Sequence, residues 1–296
     1  MGTTHLIHTM KNRIQQLRTL ISQLLPRHLN VAACVAFNRT RIIHSNWGDE
    51  LNYHFLSLLF RRKICVSDYS WLCRFGLQRQ HLIIGSTIGL KCTRNTTIWG
   101  AGVLSADSPL PEPPGKVLAV RGPRTRQFLL SKGVDCPAVY GDPALLLPMV
   151  YRPANICRKH ALGIIPHYHD LNSAELRRYE IFHPGCTVIN LRHYKRWTDV
   201  IEAICSCEAV ISSSLHGLIA AAAYGIPHVW SVISPGSTIG GEFKFRDFFE
   251  SVGQAHVECH PLHRAESALS DWKPMQWDSA PLLQSAPFPI SPCPAN

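Results

Sequence analysis

The chain has 296 residues, 46% of them hydrophobic and 17% charged. This is enough apolar material for two domains of ordinary size, and it excludes wholesale disorder. Thirty Lys and Arg against 20 Asp and Glu leave a net charge of +10, which favours anionic partners. The basic residues are scattered in ones and twos, the densest run being Arg61-Arg62-Lys63. No recognition module accompanies them, so nucleic acid is set aside as a partner.

The 11 cysteines are odd in number, and none has CxxC spacing. Cys205 and Cys207 lie too close together for an ordinary zinc half-site, and no metal is expected. The thiols read as reduced and mostly buried, which predicts a cytoplasmic chain. Lys11, Arg13 and Arg18 interrupt the first apolar stretch, so no cleavable leader is predicted. No apolar run reaches the length of about 18 residues that a membrane span needs.

Residues 1–30 read as an N-terminal helical segment. Ile14, Leu17, Ile21 and Leu24 fall at helical spacing. One reading lays this helix on an anionic membrane face at the inner side of the plasma membrane; the favoured one packs it on its own domain. From Val31 the pattern alternates between strand and helix. Val31–Phe37 is an apolar run, and Arg41–His44 is a short strand feeding the turn Ser45-Asn46-Trp47-Gly48-Asp49. A helix through Leu51, Phe55, Leu58 and Leu59 follows. His81–Ile84 leads into Gly85-Ser86-Thr87, Thr97–Trp99 into Gly100-Ala101-Gly102, and Lys116–Val120 into Arg121-Gly122-Pro123. Gly141-Asp142-Pro143 opens a boundary that ends this unit, 31–150.

A second unit, 151–272, repeats the pattern. Strands are predicted at Ala161–Ile165, Thr187–Asn190, Ala209–Ile211 and Pro227–Val232. Helices are predicted at Thr198–Cys207, Leu215–Tyr224 and Phe243–Val252. Residues 273–296, rich in Pro and Ser, are expected to form a flexible tail. Short apolar strands that end in Gly-rich turns before helices mark parallel α/β sheets. The fold class is therefore α/β, two Rossmann-like domains with a central cleft, and ligands in such folds sit beyond the carboxyl ends of the strands.

Four motifs stand at such ends. In Ser212-Ser213-Ser214-Leu215-His216-Gly217, hydroxyls and free N–H groups at a helix start can hold an anion, and His216 falls in the first turn. In Asn46-Trp47-Gly48-Asp49-Glu50, Gly48 lets backbone approach a ligand, and Asn46 and Asp49 can bond substrate hydroxyls; the plain alternative makes Asp49 the helix cap. Arg121 presents a planar fork suited to carboxylate or phosphate, unless an Asp occupies it. His167, in Pro166-His167-Tyr168-His169-Asp170, is a cleft contact or a solvated loop residue; no third metal ligand is identifiable.

Taken together and in this order, the motifs resemble the polysaccharide pyruvyl transferase family. The pieces are Asn46–Asn52, Trp99-Gly100-Ala101-Gly102, Arg121-Gly122-Pro123 with Gly141-Asp142-Pro143, Ile165-Pro166-His167-Tyr168, and Ser212–Gly217 running to Gly225-Ile226-Pro227. The resemblance implies a GT-B-like fold, phosphoenolpyruvate as donor substrate with no further cofactor, and a glycan acceptor, possibly lipid-linked. It implies a catalytic His216 and an Arg121 that binds donor beside Ser213, Ser214 and Gly217. Ser214 stands where some members have an Arg, and Gly85-Ser86-Thr87 where some have a Gly triplet; Lys244 or Arg124 then becomes the candidate for the donor carboxylate. Asn46, Gly48, Asp49 and His167 are assigned to the acceptor side of the cleft. Two other readings remain open: a GT-B glycosyltransferase using a nucleotide sugar, and a non-catalytic glycan-binding protein.

Overall fold

The computed structural model describes residues 2–24, 27–154, 156–234, 236 and 240–290, with side chains from Arg13 onward. Its frame is a pair of five-stranded parallel sheets. The first uses β1 (His28–Val31), β4 (Lys63–Val66), β5 (Gln80–Leu82), β6 (Thr96–Trp99) and β7 (Lys116–Ala119), in the order β4-β1-β5-β6-β7. The second uses β8 (His160–Ile165), β9 (Cys186–Val188), β10 (Cys207–Ser212), β11 (His228–Val232) and β12 (His260–Pro261), in the order β12-β11-β10-β8-β9. The central strands are buried on both faces, as β6 is at all four residues, and this is why they read as apolar runs without alternation.

Several elements depart from the sequence reading, in which the helix Ala174–Phe182 and the strand His260–Pro261 have no counterpart. The run Val31–Phe37 does not continue as one strand. It breaks after β1, and β2 (Ala36–Asn38) turns back on β3 (Arg41–Ile43) as an antiparallel hairpin outside the main sheet. Strand β4 has no counterpart in the sequence reading, because the basic run Arg61-Arg62-Lys63 hides a four-residue edge strand that pairs with β1 from His28↔Lys63 onward.

Seven longer helices complete the layers: α1 (Gly2–Leu24), α2 (Trp47–Leu59), α3 (Pro123–Ser131), α4 (Ala174–Phe182), α5 (Trp197–Cys205), α6 (Leu215–Ala223) and α7 (Phe243–Ser251). The small-residue run Ala220-Ala221-Ala222 in α6 is buried, and it lets that helix lie close to its sheet. One apolar core spans both halves. It joins Leu51, Ile84 and Trp99 to Ile165, Leu218 and Phe245. Trp47 is fully buried in it, and its indole N–H donates to the Trp197 carbonyl at 2.8 Å, so α2 of the first half is pinned to α5 of the second.

The expected loose tail is corrected for the part described, which ends at Ile290. A short helix, Ala280–Gln284, returns to the first half, where Leu282 is fully buried and its carbonyl accepts the Trp99 indole N–H at 3.1 Å. Phe288 packs against Phe60 and His81 and under the Arg62 guanidinium. A Pro- and Ser-rich composition masked a segment held by two apolar anchors, Leu282 and Phe288. Among the described residues, no helix is long and apolar enough to cross a membrane. Ten cysteines are described, all of them free, and they divide between buried sites such as Cys65 and Cys92 and exposed ones at Cys34 and Cys157.

Candidate active site

The site is built from strand ends of both sheets. On the second sheet, β10 runs into Ser212-Ser213-Ser214 before α6 begins. The Ser212 hydroxyl lies 2.9 Å from the carbonyl oxygens of Ile165 and Ser214 and accepts the Ser214 N–H at 3.0 Å. The Ser213 hydroxyl donates to Asp170 at 2.7 Å and accepts the His167 N–H at 2.8 Å. These bonds fix the turn and lock the His167 loop to it. They also correct the donor-binding assignment of Ser213, whose hydroxyl is committed inside the protein. Gly217 is likewise structural. A β-carbon there would lie 2.6 Å from Ser212 Oγ and 2.8 Å from Ile165 Cγ2, so the missing side chain lets α6 seat on its sheet. Ser214 occupies the helix N-cap position, buried and without a side-chain cap bond.

His216, in the first turn of α6, is held against α2 of the other half. A β-carbon on Gly48 would overlap the imidazole at Nδ1 and Cγ. Gly48 is therefore not an open face for an acceptor; its lack of a side chain makes the space for His216. Asn46, rather than Asp49, caps α2, accepting the Gly48 N–H at 3.2 Å and donating to Asp49 at 2.9 Å. Asp49 follows Gly48 on the first turn of α2, and its Oδ1 lies 3.3 Å from the β-carbon position of Gly85.

Burial and like charge then tune the group. Burial pushes the His216 imidazole down to about 3, with the cations Lys244 and Arg121 and the nearby His167 adding to the effect. Its Nε2 is buried with no hydrogen-bond partner. Burial also lowers His167 to about 4, again with help from Lys244. Lys244, on the first turn of α7, is itself lowered to about 8 by burial and by Arg121, against a partial pull from Asp49. Burial raises Asp49 to about 6, opposed by its bond from Asn46. Four titratable groups, from α2, α6, α7 and the His167 loop, are thus coupled, the other three each to Lys244: a neutral imidazole, a cation near its titration point, a carboxyl near its own, and a second histidine. Such clustering of displaced proton affinities marks functional sites.

Arg121 is placed differently from the expectation. It is fully buried, with Nε donating to Asp247 at 2.9 Å, Nη1 to Ser86 at 2.7 Å and Nη2 to the Val103 carbonyl at 2.8 Å. A β-carbon on Gly102 would overlap this guanidinium, so the Gly100-Ala101-Gly102 turn is shaped around it. Asp247 in turn accepts the Thr125 N–H and hydroxyl, at 2.9 and 2.7 Å. The fork that sequence assigned to the donor is thus largely occupied by an aspartate of the other half; its field still reaches His216 and Lys244. Arg124 is also engaged, pairing with Glu250 at 2.7 Å on the surface.

Three acidic residues escaped the sequence reading. Asp247 lies three residues after Lys244 in α7, between the buried Phe245 and Phe248; a charge inside an apolar helical face was the available signal. Glu50 is fully buried, binds His44 at 2.7 Å and the Ser45 N–H at 2.8 Å, and accepts the Tyr194 hydroxyl from the other half. Asp170 is buried beside Ser213, with Oδ1 unpartnered. Among the described residues, no three His, Cys, Asp or Glu side chains stand together as a metal-holding group.

Comparison with known proteins adds two findings. An uncharacterized protein of Acanthamoeba polyphaga mimivirus is 29% identical over 219 residues, which cover 70% of this chain and 71% of the viral one. Residues 114–235, which carry the Arg121, Gly141-Asp142-Pro143, His167 and His216 motifs, match the model of the polysaccharide pyruvyl transferase family.

Proposed function

We propose that the chain is a pyruvyl transferase that moves the pyruvyl group of phosphoenolpyruvate onto two hydroxyls of a glycan sugar as a ketal. The observation that carries this reading is the grouping of His216 and Asp49, from the two halves, around Lys244. Two facing parallel sheets with chemistry at their carboxyl ends fit a GT-B-like arrangement, which we adopt as part of the reading.

The donor is an anion with a carboxylate and a phosphate, and Lys244, buried and without an ion pair among the described residues, is the available counter-charge. A cation already desolvated binds an anion with little further loss of hydration, so the contact is strong for its size. Protonation of the donor's methylene carbon makes the neighbouring carbon electrophilic. Asp49, held near 6, is suited to supply that proton, because a carboxyl displaced toward neutrality carries one. The first sugar hydroxyl adds to the activated carbon as its proton passes to a base, and His216, with Nε2 unpartnered, accepts it once the anionic donor at Lys244 offsets the positive field that lowers the imidazole's proton affinity. The second hydroxyl then closes the ketal as the carbon–oxygen bond to phosphate breaks. Of the two hydroxyl protons, one restores the acid that supplied the methylene and the other leaves on phosphate.

The test is release of phosphate from phosphoenolpyruvate across a panel of glycan acceptors, with His216→Ala as control. Acceptor-dependent release that the substitution abolishes supports the reading. Failure of the protein to bind phosphoenolpyruvate at all would overturn it, and nucleotide-sugar binding in its place would favour a glycosyltransferase.

A further inference from the structure

Helix α1 is packed inside out. Its polar residues Gln15, Thr19, Ser22 and Gln23 are buried against the first half, where Gln23 Nε2 lies 2.7 Å from Asn30 Oδ1 and 2.6 Å from Ser70 Oγ. Its apolar residues Ile14, Leu17, Ile21 and Leu24, spaced along one face, are 40, 59, 51 and 77% exposed. A helix that packs only to stabilise its own domain does the reverse. Beside it, the short helix Trp71–Arg74, held to Gln23 through Ser70, leaves Trp71, Phe75 and Leu77 exposed at 56, 74 and 72%. Contiguous apolar surface of this kind marks a binding face.

Charge says what covers it. Residues 1–48 contain Lys11, Arg13, Arg18, Arg27, Arg39 and Arg41 and no Asp or Glu at all. Arg18 reaches the Thr40 carbonyl, which brings the exposed Arg39 and Arg41 of the β2–β3 hairpin alongside α1. Arg74 stands on the neighbouring short helix. A second copy of the chain would bring the same cations face to face, and they would repel. An apolar stripe rimmed by arginines, with tryptophan beside it, matches an anionic bilayer surface, where indole rings sit at headgroup depth and each basic residue gains from the surface potential.

We propose that α1 and the Trp71–Leu77 segment form a docking surface for an anionic lipid membrane, with α1 lying along the interface. This proposal stands apart from the pyruvyl transfer reading. The experiment is co-sedimentation of the full chain with phosphatidylcholine vesicles with or without phosphatidylglycerol. Binding is expected only with the anionic lipid and is expected to weaken as salt rises. The double substitution Leu17→Glu/Ile21→Glu is expected to lower partitioning by at least about tenfold, since it replaces inserted apolar groups with charge. Both residues are exposed, so an unchanged melting temperature verifies the fold. Absence of binding by the parent chain overturns the proposal. So does binding that survives the double substitution, or a concentration-dependent dimer that the substitution dissolves while vesicles recover no protein.

Discussion

The imidazole of His216 fills the space that a side chain on Gly48 would occupy, although the two residues belong to different halves and lie 168 positions apart (216 − 48). The contact ties the position of the candidate base to the first turn of α2. Gly48→Ala is therefore expected to displace the ring by about an ångström and to lower kcat on the order of 10²-fold, with a smaller change in donor KM. Gly185→Ala, where an added β-carbon meets nothing within 4 Å, is the control and should leave both constants unchanged.

Lys244 gives the donor step a pH signature. The group is cationic below about 8, so affinity for phosphoenolpyruvate should hold through neutrality and fall as pH rises past 8, by up to about tenfold per unit. An anion raises the affinity of the ammonium for its proton, so binding near pH 8 should take up protons. Calorimetry in buffers of different ionisation enthalpy measures that uptake. Lys244→Met should abolish both effects, and a donor affinity insensitive to this substitution would place the anion elsewhere.

Asp49 should show the tension between activity and stability. Its proton affinity is higher in the folded chain than the ordinary value of 3.8, at about 6. Between those values the folded state holds more protons than the unfolded one, so this group's contribution falls as pH rises through the window and reaches its full cost above 6. Asp49→Asn is expected to stabilise the protein by about 1–2 kcal/mol at pH 8 and by nearly nothing at pH 3.5, while turnover is lost. Denaturant melts at the two pH values measure the difference.

The Arg121–Asp247 pair should behave as a clasp. Both side chains are fully buried, and removing one leaves the other charged and without its counter-ion. Asp247→Asn or Arg121→Met is expected to cost about 3–5 kcal/mol, with loss of folded protein preceding any specific effect on donor KM. The double substitution Arg121→Met/Asp247→Leu should recover much of that loss. A single variant with full stability and a raised donor KM would return Arg121 to the donor side.

The returning C-terminal segment should be needed by the first sheet. Leu282 is fully buried against Trp99, so Leu282→Ala is expected to cost about 2–5 kcal/mol, measured by chemical denaturation. A chain ending at residue 272 should lose more, because the Phe288 anchor goes as well.

The parallel sheets were legible because buried strands are continuous apolar runs with glycine at their ends, as at Ile98-Trp99-Gly100. His216 was legible as a histidine at a strand–helix junction. What the motifs do to one another was not. Gly48 read as an opening for a ligand, whereas it accommodates the His216 ring, as Gly102 does the Arg121 guanidinium, and no local pattern reports a contact between distant segments. Arg121 read as a free fork because its partner sits in α7 and is separated from it by 126 residues. The polarity of α1 misled in the opposite sense: its spacing predicts an amphipathic helix, and only tertiary hydrogen bonds such as Gln23 to Ser70 show which face turns inward.

The Gly48–His216 contact and the Arg121–Asp247 clasp both reach from one half to the other. Neither half, folded by itself, would hold an active centre in dormant form. A chain whose two sheets have formed but not docked would have His216 hydrated and titrating as an ordinary histidine, and Lys244 as an ordinary lysine. The displaced proton affinities require both halves in place, so chemical competence depends on their docking.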